Sequence, residues 1–123
     1  MKVMKHRAVE FAKECPDVVL GETAIDEWLR LRPDVAPLDV KLTTEETTTL
    51  AAYCVSLGRW HDAEHWIKEN GTTIVFRDKD GRTTQVMPAP QVSIAAQSMK
   101  AAAGYAGALA KLKTERELRS QCQ

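Results

Sequence analysis

The sequence has few aromatic residues, no net charge and no long hydrophobic run, and each shortage excludes a class of protein. Only 6% of the 123 residues are aromatic, while 44% are hydrophobic and 28% are charged, which is ordinary for a globular domain and unlike collagen or a disordered chain. The longest small or apolar run, 101–110, is far shorter than the roughly 20 residues of a membrane span. Because the charged N-terminus also has no signal-peptide pattern, we expect one soluble, cytoplasmic domain.

Cysteine is scarce as well, and motifs for catalysis are missing. Cys15, Cys54 and Cys122 are odd in number and form no C-x-x-C pair, which favours reduced thiols over a disulfide framework. The sequence has no G-x-x-x-x-G-K-[ST] phosphate-binding loop and no serine or cysteine in a recognisable nucleophile context. We therefore predict a protein that is not an enzyme and uses no cofactor.

The charges balance at 17 basic and 17 acidic residues, but they are unevenly placed along the chain. The net charge is +2 over residues 1–16, −5 over residues 17–50 and +3 over residues 91–123. A protein that binds nucleic acid by bulk charge is normally basic overall. The bipolar pattern instead favours self-assembly or an acidic partner surface, with solvated faces as the ordinary alternative.

Helical periodicity and proline positions predict two short helices in the first third of the chain. The first covers residues 5–14 and ends at Pro16. The second is predicted to start at Thr23 as N-cap and to end before Pro33, because proline disfavours the helical conformation in the residue that precedes it. Residues 33–40 are then predicted to form a connecting loop.

The strongest helical signal covers residues 44–70. Thr43 and Glu46 match a capping box, and Asn70-Gly71 is typical of a helix C-terminus. The predicted core positions are Trp28, Leu50, Tyr53, Leu57, Trp60 and Ile67. The three tryptophans, Trp28, Trp60 and Trp66, could instead stack on nucleic-acid bases, but at helical spacing we interpret them as core or interface anchors. The helix would be about 40 Å long, which is more than a 13.7 kDa domain can cover by itself.

A β-hairpin at about 72–87 and a final long helix are predicted after this. Two β-branched runs flank the polar turn 78–81. Because two strands alone are marginally stable in water, we expect the hairpin to pack on helices or on a neighbouring subunit. Small and apolar residues in the last helix alternate steps of three and four and predict a seam between subunits. This oligomer interface comprises Val92, Ala95, Met99, Ala102, Ala106 and Leu109.

The predicted fold class is mainly α: a long-helix, oligomer-forming domain with one β-hairpin inserted between its two longest helices. Along the chain we expect a basic N-terminal helix over 1–16, a helical core over 17–112 and a charged C-terminal tail over 113–123. Pro16 sets the first of these bounds.

His61 and His65 stand four residues apart on one predicted helix face and fit the H-x-x-E-H pattern of some zinc hydrolases. A zinc site needs a third protein ligand, and Cys54 is the only local one, at an imperfect rotation along the helix. Five-residue motifs often match by chance. We interpret the two histidines as polar surface residues and predict no metal site.

An ordered set of motifs covers roughly Ala24 to Leu112. The motifs are Ala24-Ile25-Asp26-Glu27-Trp28, Leu42-Thr43-Thr44-Glu45-Glu46 and Leu50-Ala51-Ala52-Tyr53-Cys54, followed by Arg59, Ala63, Ile67, Gly71, the strand pair 74–87, Pro88 and the methionine-bearing stretch 92–99. In this order and spacing they resemble the small subunit of tailed-phage terminases. The chain departs from the family pattern at 108–116, which lacks the leucine-glycine-leucine turn of other members.

The resemblance implies a non-enzymatic subunit that binds double-stranded viral DNA, assembles into a homo-oligomeric ring and delivers the DNA to a large terminase subunit with ATPase and nuclease activities. It implies action in the host cytoplasm and no membrane partner. Two alternatives stay open: a helical structural or adaptor protein of the phage head without a DNA role, and a small metal-dependent hydrolase using His61 and His65.

The basic ends of the chain are the predicted DNA-binding sites if the resemblance holds. Their side chains have too few local carboxylates to neutralise them, and a ring would repeat them in every subunit. The predicted contacts are Lys2, Lys5, Arg7, Lys111, Lys113, Arg116 and Arg119. Such contacts would position the phosphate backbone without reading bases.

Overall fold

The computed structural model describes residues 14–37 and 39–121. Its elements, in chain order, are α1 (Glu22–Val35), α2 (Thr44–Asn70), β1 (Thr73–Arg77), β2 (Thr83–Pro88) and α3 (Pro90–Gln121). The predicted mainly α fold, with a hairpin between the two longest helices, is confirmed. The predicted helix over 5–14 lies almost entirely outside the described residues.

Both ends of α2 lie where the sequence predicts them. Thr43 Oγ1 accepts a hydrogen bond from the Glu46 backbone N–H at 3.1 Å, and the Thr43 N–H donates to Glu46 Oε1 at 2.9 Å, which completes the capping box. Gly71 adopts a φ of 84° and donates its N–H to the Ile67 carbonyl at 2.7 Å. Glycine suits this position because a β-carbon disfavours positive φ.

Both ends of α1 differ from the prediction. Its N-cap is Gly21 and not Thr23, and the helix continues through Pro33 to Val35. Proline removes one N–H from the hydrogen-bond ladder, but its fixed φ is close to the helical value and only two helical residues follow it. The predicted loop over 33–40 is therefore shorter than expected.

A buried arginine stabilises the end of α1. The Arg32 side chain is 1% exposed and donates hydrogen bonds to the carbonyls of Ala36 at 3.2 Å and Val40 at 2.6 Å, both beyond the helix end. It also pairs with Glu14 at 2.6 Å. Because a buried charge needs partners, these bonds satisfy the guanidinium and hold the chain that leaves α1 against the helix.

α1 and α3 both pack against α2. α3 runs antiparallel along it, since Arg116 near the end of α3 contacts Glu46 near the start of α2. α1 covers α2 on another side and approaches most closely at Gly58, where an added β-carbon would lie 3.1 Å from Ala24 Cβ. The buried core comprises Val19, Ala24, Trp28, Val35, Ala36, Leu42, Leu50, Ala51 and Cys54.

The core is concentrated in the first half of α2. Trp28 and Leu50 are fully buried, as predicted. Leu57 and Trp60 are partly buried, because α1 begins at the level of His61 and leaves the second half of α2 uncovered on that side. No helix in the described part of the chain is long and apolar enough to cross a membrane.

The hairpin projects from the helices. Ile74 lies opposite Met87, Val75 opposite Val86 and Phe76 opposite Gln85, and a bulge follows Phe76. All residues of both strands are exposed apart from Ile74, which is partly buried. Of the two expected supports for the hairpin, packing on helices of its own chain is therefore not found among the described residues.

Candidate nucleic-acid interface

The predicted charged tail is helical in the structure. α3 continues without a break from Pro90 to Gln121, so residues 113–121 extend the helix and do not form a separate tail. Lys111, Lys113 and Arg119 are exposed on these last turns. The long helix fixes how these cations are spaced, because each residue advances about 1.5 Å and about 100° around the axis.

Arg116 differs from the other predicted contacts because it is paired within the chain. Its Nε donates to Glu46 Oε2 at 2.7 Å, and its Nη2 donates to Glu46 Oε1. The sequence predicts too few local carboxylates to neutralise the basic ends, and the carboxylate that pairs with Arg116 is a distant one, since Glu46 lies 70 positions away in sequence. The acidic segment 17–50 and the basic C-terminal region thus meet inside one subunit at this point.

The pair strongly perturbs Glu46. The hydrogen bonds from Arg116, helped by those from the Thr43 backbone and side chain, lower the pKa of the Glu46 carboxyl to about 2 against the opposing effect of burial. The same carboxylate caps the first turn of α2. Glu46 therefore joins the start of α2 to the end of α3, and Arg116 has a structural role that excludes it from a free DNA-contacting set.

The remaining cations do not form one patch. Lys111 and Lys113 point to nearly opposite sides of α3, because two residues turn the helix by about 200°. Lys113 lines a cavity of about 190 Å³ together with Asp34. Lys111 lies on the side of α3 that points away from α2, which we call the outer face, and Arg119 lies about two turns further along the helix.

Lys100 joins Lys111 on the outer face and was missed in the sequence analysis. It is exposed and lies eleven residues before Lys111, which is about three helical turns. Between them are Gly104 and Gly107, where an added β-carbon would meet no atom within 4 Å. The eleven-residue spacing of the two lysines is the signal that could have identified this face from sequence.

The residues of the predicted oligomer seam do not share one environment in the structure. Ala95 and Ala102 are buried at the side of α3 that packs on α2, so they serve the internal contact and not a subunit interface. Val92, Met99 and Ala106 are exposed, with 49% of Met99 accessible. Leu109 is partly buried against the core. The predicted residues therefore lie on both the buried and the exposed sides of α3, and a subunit interface on this helix stays a prediction.

The histidine pair lies on the surface of α2. The His61 and His65 rings are stacked, with centroids 6.5 Å apart, and His65 Nε2 lies 3.3 Å from a Glu69 carboxylate oxygen. Cys54 is fully buried, and burial raises the pKa of its thiol to about 12, which keeps it protonated. Among the described residues, no three His, Cys, Asp or Glu side chains are grouped as metal ligands.

The N-terminal cations cannot be placed on this framework. Lys2, Lys5 and Arg7 lie outside the described residues, so their position relative to Lys100 and Lys111 stays a prediction. The described candidate interface is the exposed outer face of α3, with Lys100, Lys111 and Arg119.

Comparison with known proteins agrees with the motif order. The family model of the phage terminase small subunit matches residues 24–112. Comparison with curated proteins gave no match, and comparison with solved structures gave none. The family match covers the three described helices up to Leu112, together with the hairpin. The chain belongs to the phage terminase small subunit family, whose members take part in DNA packaging and are generally non-catalytic.

Proposed function

We propose that this subunit binds double-stranded viral DNA as a homo-oligomeric ring and presents it, without catalysis of its own, to the large terminase subunit in the host cytoplasm. Membership of the terminase small subunit family is the observation that carries the proposal. The exposed cations of α3 and the uncovered apolar surfaces of the chain support its two parts, DNA binding and assembly.

The DNA contacts are assigned to the exposed cations at the ends of the chain. In the described residues these are Lys100, Lys111, Lys113 and Arg119, and Lys2, Lys5 and Arg7 are the N-terminal candidates. The small residues between Lys100 and Lys111 project little from the outer face of α3, so a phosphate backbone can approach it closely. One subunit offers few cations, but a ring multiplies them, so weak contacts become strong collectively.

A second function is favoured by the charges between these cations. Glu115 and Glu117 lie among them and are exposed, so the end of α3 is only weakly positive. A helical structural or adaptor protein of the phage head that does not bind DNA would need no stronger positive electrostatic potential. The two functions differ in whether the protein binds DNA with a salt-dependent affinity.

A gel-shift titration on viral DNA across a salt series tests the proposal. The parent should bind with an affinity that falls steeply with salt, because each phosphate contact adds about 0.9 to the slope of log affinity against log salt. Replacing Lys100, Lys111, Lys113 and Arg119 with Gln should lower that slope by at least one unit. The control replaces Arg30, Lys41 and Arg59, which are also exposed, and should keep the parent's slope.

The outcomes separate the candidates. If only a Lys2, Lys5 and Arg7 to Gln variant loses slope, the N-terminal set makes the contacts and α3 does not. If both variants keep the parent's affinity and slope, the assignment of the contacts is wrong. A parent protein that does not shift DNA at low salt contradicts the DNA-binding role and leaves the adaptor function.

A further inference from the structure

We propose that the hairpin of one subunit docks into a groove on α2 of the next subunit, through the hairpin face that carries Phe76 and Met87. The inference rests on the proposed ring and identifies the contact that builds it. Two apolar, exposed surfaces of this chain support it, and both lie at the end of α2 that carries the hairpin.

The hairpin is the first of these surfaces. Cross-strand pairing places Ile74, Phe76 and Met87 on one face, and Phe76 and Met87 are 47% and 43% exposed. A two-stranded sheet is marginally stable in water unless one face is covered. Large apolar side chains grouped on one exposed face are typical of an interaction site.

The groove is the second surface. It has a volume of about 580 Å³ and lies on α2 just beyond the start of α1. Leu57 and Trp60 form its apolar floor, and Glu64, His65 and Lys68 line its side. It exists because α1 begins beside His61, where Thr23 Oγ1 lies 3.3 Å from His61 Nδ1, so that within the described residues no helix covers this side of the second half of α2.

The two surfaces fit in length. Groove residues from Leu57 to Lys68 span eleven helical steps, or about 17 Å. The six residues of β2 span about 20 Å. An aromatic ring on the hairpin, Phe76, would lie against an aromatic ring in the groove, Trp60, an arrangement that adds to the stabilisation from buried area.

The two surfaces also fit in charge. The hairpin tip carries Arg77, Lys79 and Arg82 against Asp78 and Asp80, so its net charge is positive. Asp78 Oδ1 already accepts the backbone N–H groups of Asp80 and Arg82, both at 2.9 Å. At the groove, Glu64 and the adjoining Glu69 outnumber Lys68, so the formal net charge is negative when histidines are counted as neutral. Opposite signs favour the hairpin over DNA as the occupant of the groove.

A contact between two different surfaces of identical chains is heterologous, and such contacts repeat from subunit to subunit and form a ring when the rotation between subunits closes. Among residues 14–37 and 39–121, both surfaces stay largely open in the single chain, with Ile74, Leu57 and Trp60 partly buried. The hairpin-to-groove contact therefore supplies the kind of interface that a ring requires and that the divided seam of α3 does not.

Sedimentation velocity on the full chain tests the contact. Wild type should sediment as an oligomer at micromolar concentration, and Phe76→Thr/Met87→Thr should weaken assembly at least tenfold, since threonine keeps the strand propensity but removes the apolar face. The matched control is Val75→Thr/Val86→Thr on the opposite face of the same strands, which should assemble like wild type. Far-ultraviolet circular dichroism confirms that each variant is folded.

The groove is tested by charge reversal. Glu64→Arg places a positive charge where the basic hairpin tip is expected and should weaken assembly at least tenfold. Asp62→Arg makes the same change in charge two residues away, on the side of α2 that faces Gln91 and Ile94, and should leave assembly unchanged. Both side chains are exposed, so neither change disturbs the core.

Mixing the two variants tests whether the hairpin of one subunit binds the groove of another. At a concentration where each is monomeric, equal amounts of Phe76→Thr/Met87→Thr and Glu64→Arg should form a dimer, because the intact groove of one meets the intact hairpin of the other. No further growth is expected. Persistence of monomers in the mixture overturns the hairpin-to-groove contact.

The remaining outcomes distinguish this inference from the proposed function. A wild-type oligomer that survives the hairpin substitutions overturns the inference and leaves the ring intact. If those substitutions keep the oligomer but abolish the DNA gel shift, the hairpin binds DNA, and the inference is overturned. A wild-type monomer overturns both the ring and the contact.

Discussion

The antiparallel helices α2 and α3 form a pair, and the two ends of this pair differ in how completely one chain can bury its apolar groups and satisfy its charges. At the charged end, where α2 starts and α3 finishes, Trp28 and Leu50 are fully buried, and the buried Glu46 and Arg32 side chains are bonded to partners. At the hairpin end, where α2 finishes and α3 starts, Phe76 is 47% and Val86 58% exposed. The charged end is a packed core, and the hairpin end exposes the apolar side chains that the proposed contact between subunits would cover.

From this difference we predict that stability and assembly depend on separate parts of the chain. Three helices meet at the charged end, so each side chain there has neighbours on several sides. At the hairpin end α1 is absent, and a two-stranded sheet cannot enclose a core. Substitutions at the charged end should therefore reduce stability in a single chain, whereas those at the hairpin end should act mainly on association.

The largest expected effect is at Trp28. Trp28→Ala should lower the free energy of unfolding by about 3–5 kcal/mol, because it removes a fully buried ring from the core. Urea denaturation of dilute, monomeric protein measures this. Trp60→Ala, at a partly buried site, is the comparison and should cost clearly less. Equal losses at the two sites would contradict the placement of the core in the first half of α2.

The ion pair between α2 and α3 gives the next largest effect. Glu46→Gln removes the charge but keeps a side chain that can cap α2, so it isolates the contact with Arg116. We expect a loss of about 2–3 kcal/mol in unfolding free energy, the range for hydrogen bonds to charged groups. Thr43→Ala, which removes only the cap, should cost about 1 kcal/mol. A larger loss from Thr43→Ala than from Glu46→Gln would contradict the role of the pair.

Acid should act through the same carboxyl. The folded state lowers the pKa of Glu46 to about 2, below its ordinary value, so the folded protein binds this proton less readily than the unfolded chain. The stability that this group contributes is thus fully present above about pH 4.5 and is lost as pH falls towards 2. Urea titrations between pH 6 and pH 3 should show a smaller loss in Glu46→Gln than in wild type. Identical pH profiles would contradict the lowered pKa.

The smallest effect is expected at the hairpin. Val86→Thr changes an exposed side chain on a strand to one of similar shape, and it should alter the unfolding free energy of the monomer by less than about 0.5 kcal/mol. Thermal denaturation at low protein concentration measures it. A loss above 1 kcal/mol would show that the hairpin is packed on the chain's own helices.

Features determined by neighbouring residues could be predicted from the sequence. The capping box of Thr43 and Glu46, the glycine end of α2 and the hairpin around residues 78–81 all depend on groups within a few positions, and the structure confirms them. The order of the family's motifs is similarly readable, since it requires no knowledge of which helices touch.

Features that depend on distant contacts could not be predicted in the same way. Arg116 looks like a free cation until α3 folds back and brings it to Glu46, 70 positions earlier. Ala95 and Met99 share a spacing pattern, yet one faces α2 and the other solvent. In both cases the deciding contact is with a helix that is remote in sequence.

Amide hydrogen exchange on the assembled protein tests the difference between the two ends most directly. In wild type at micromolar concentration, the N–H groups of β1 and β2 should be protected, and in Phe76→Thr/Met87→Thr their protection should fall to near that of an open loop while that of Leu50 in α2 is retained. That result would show that another subunit completes the hairpin end and that the charged end is complete in one chain. Hairpin protection that is the same in both proteins would contradict the account.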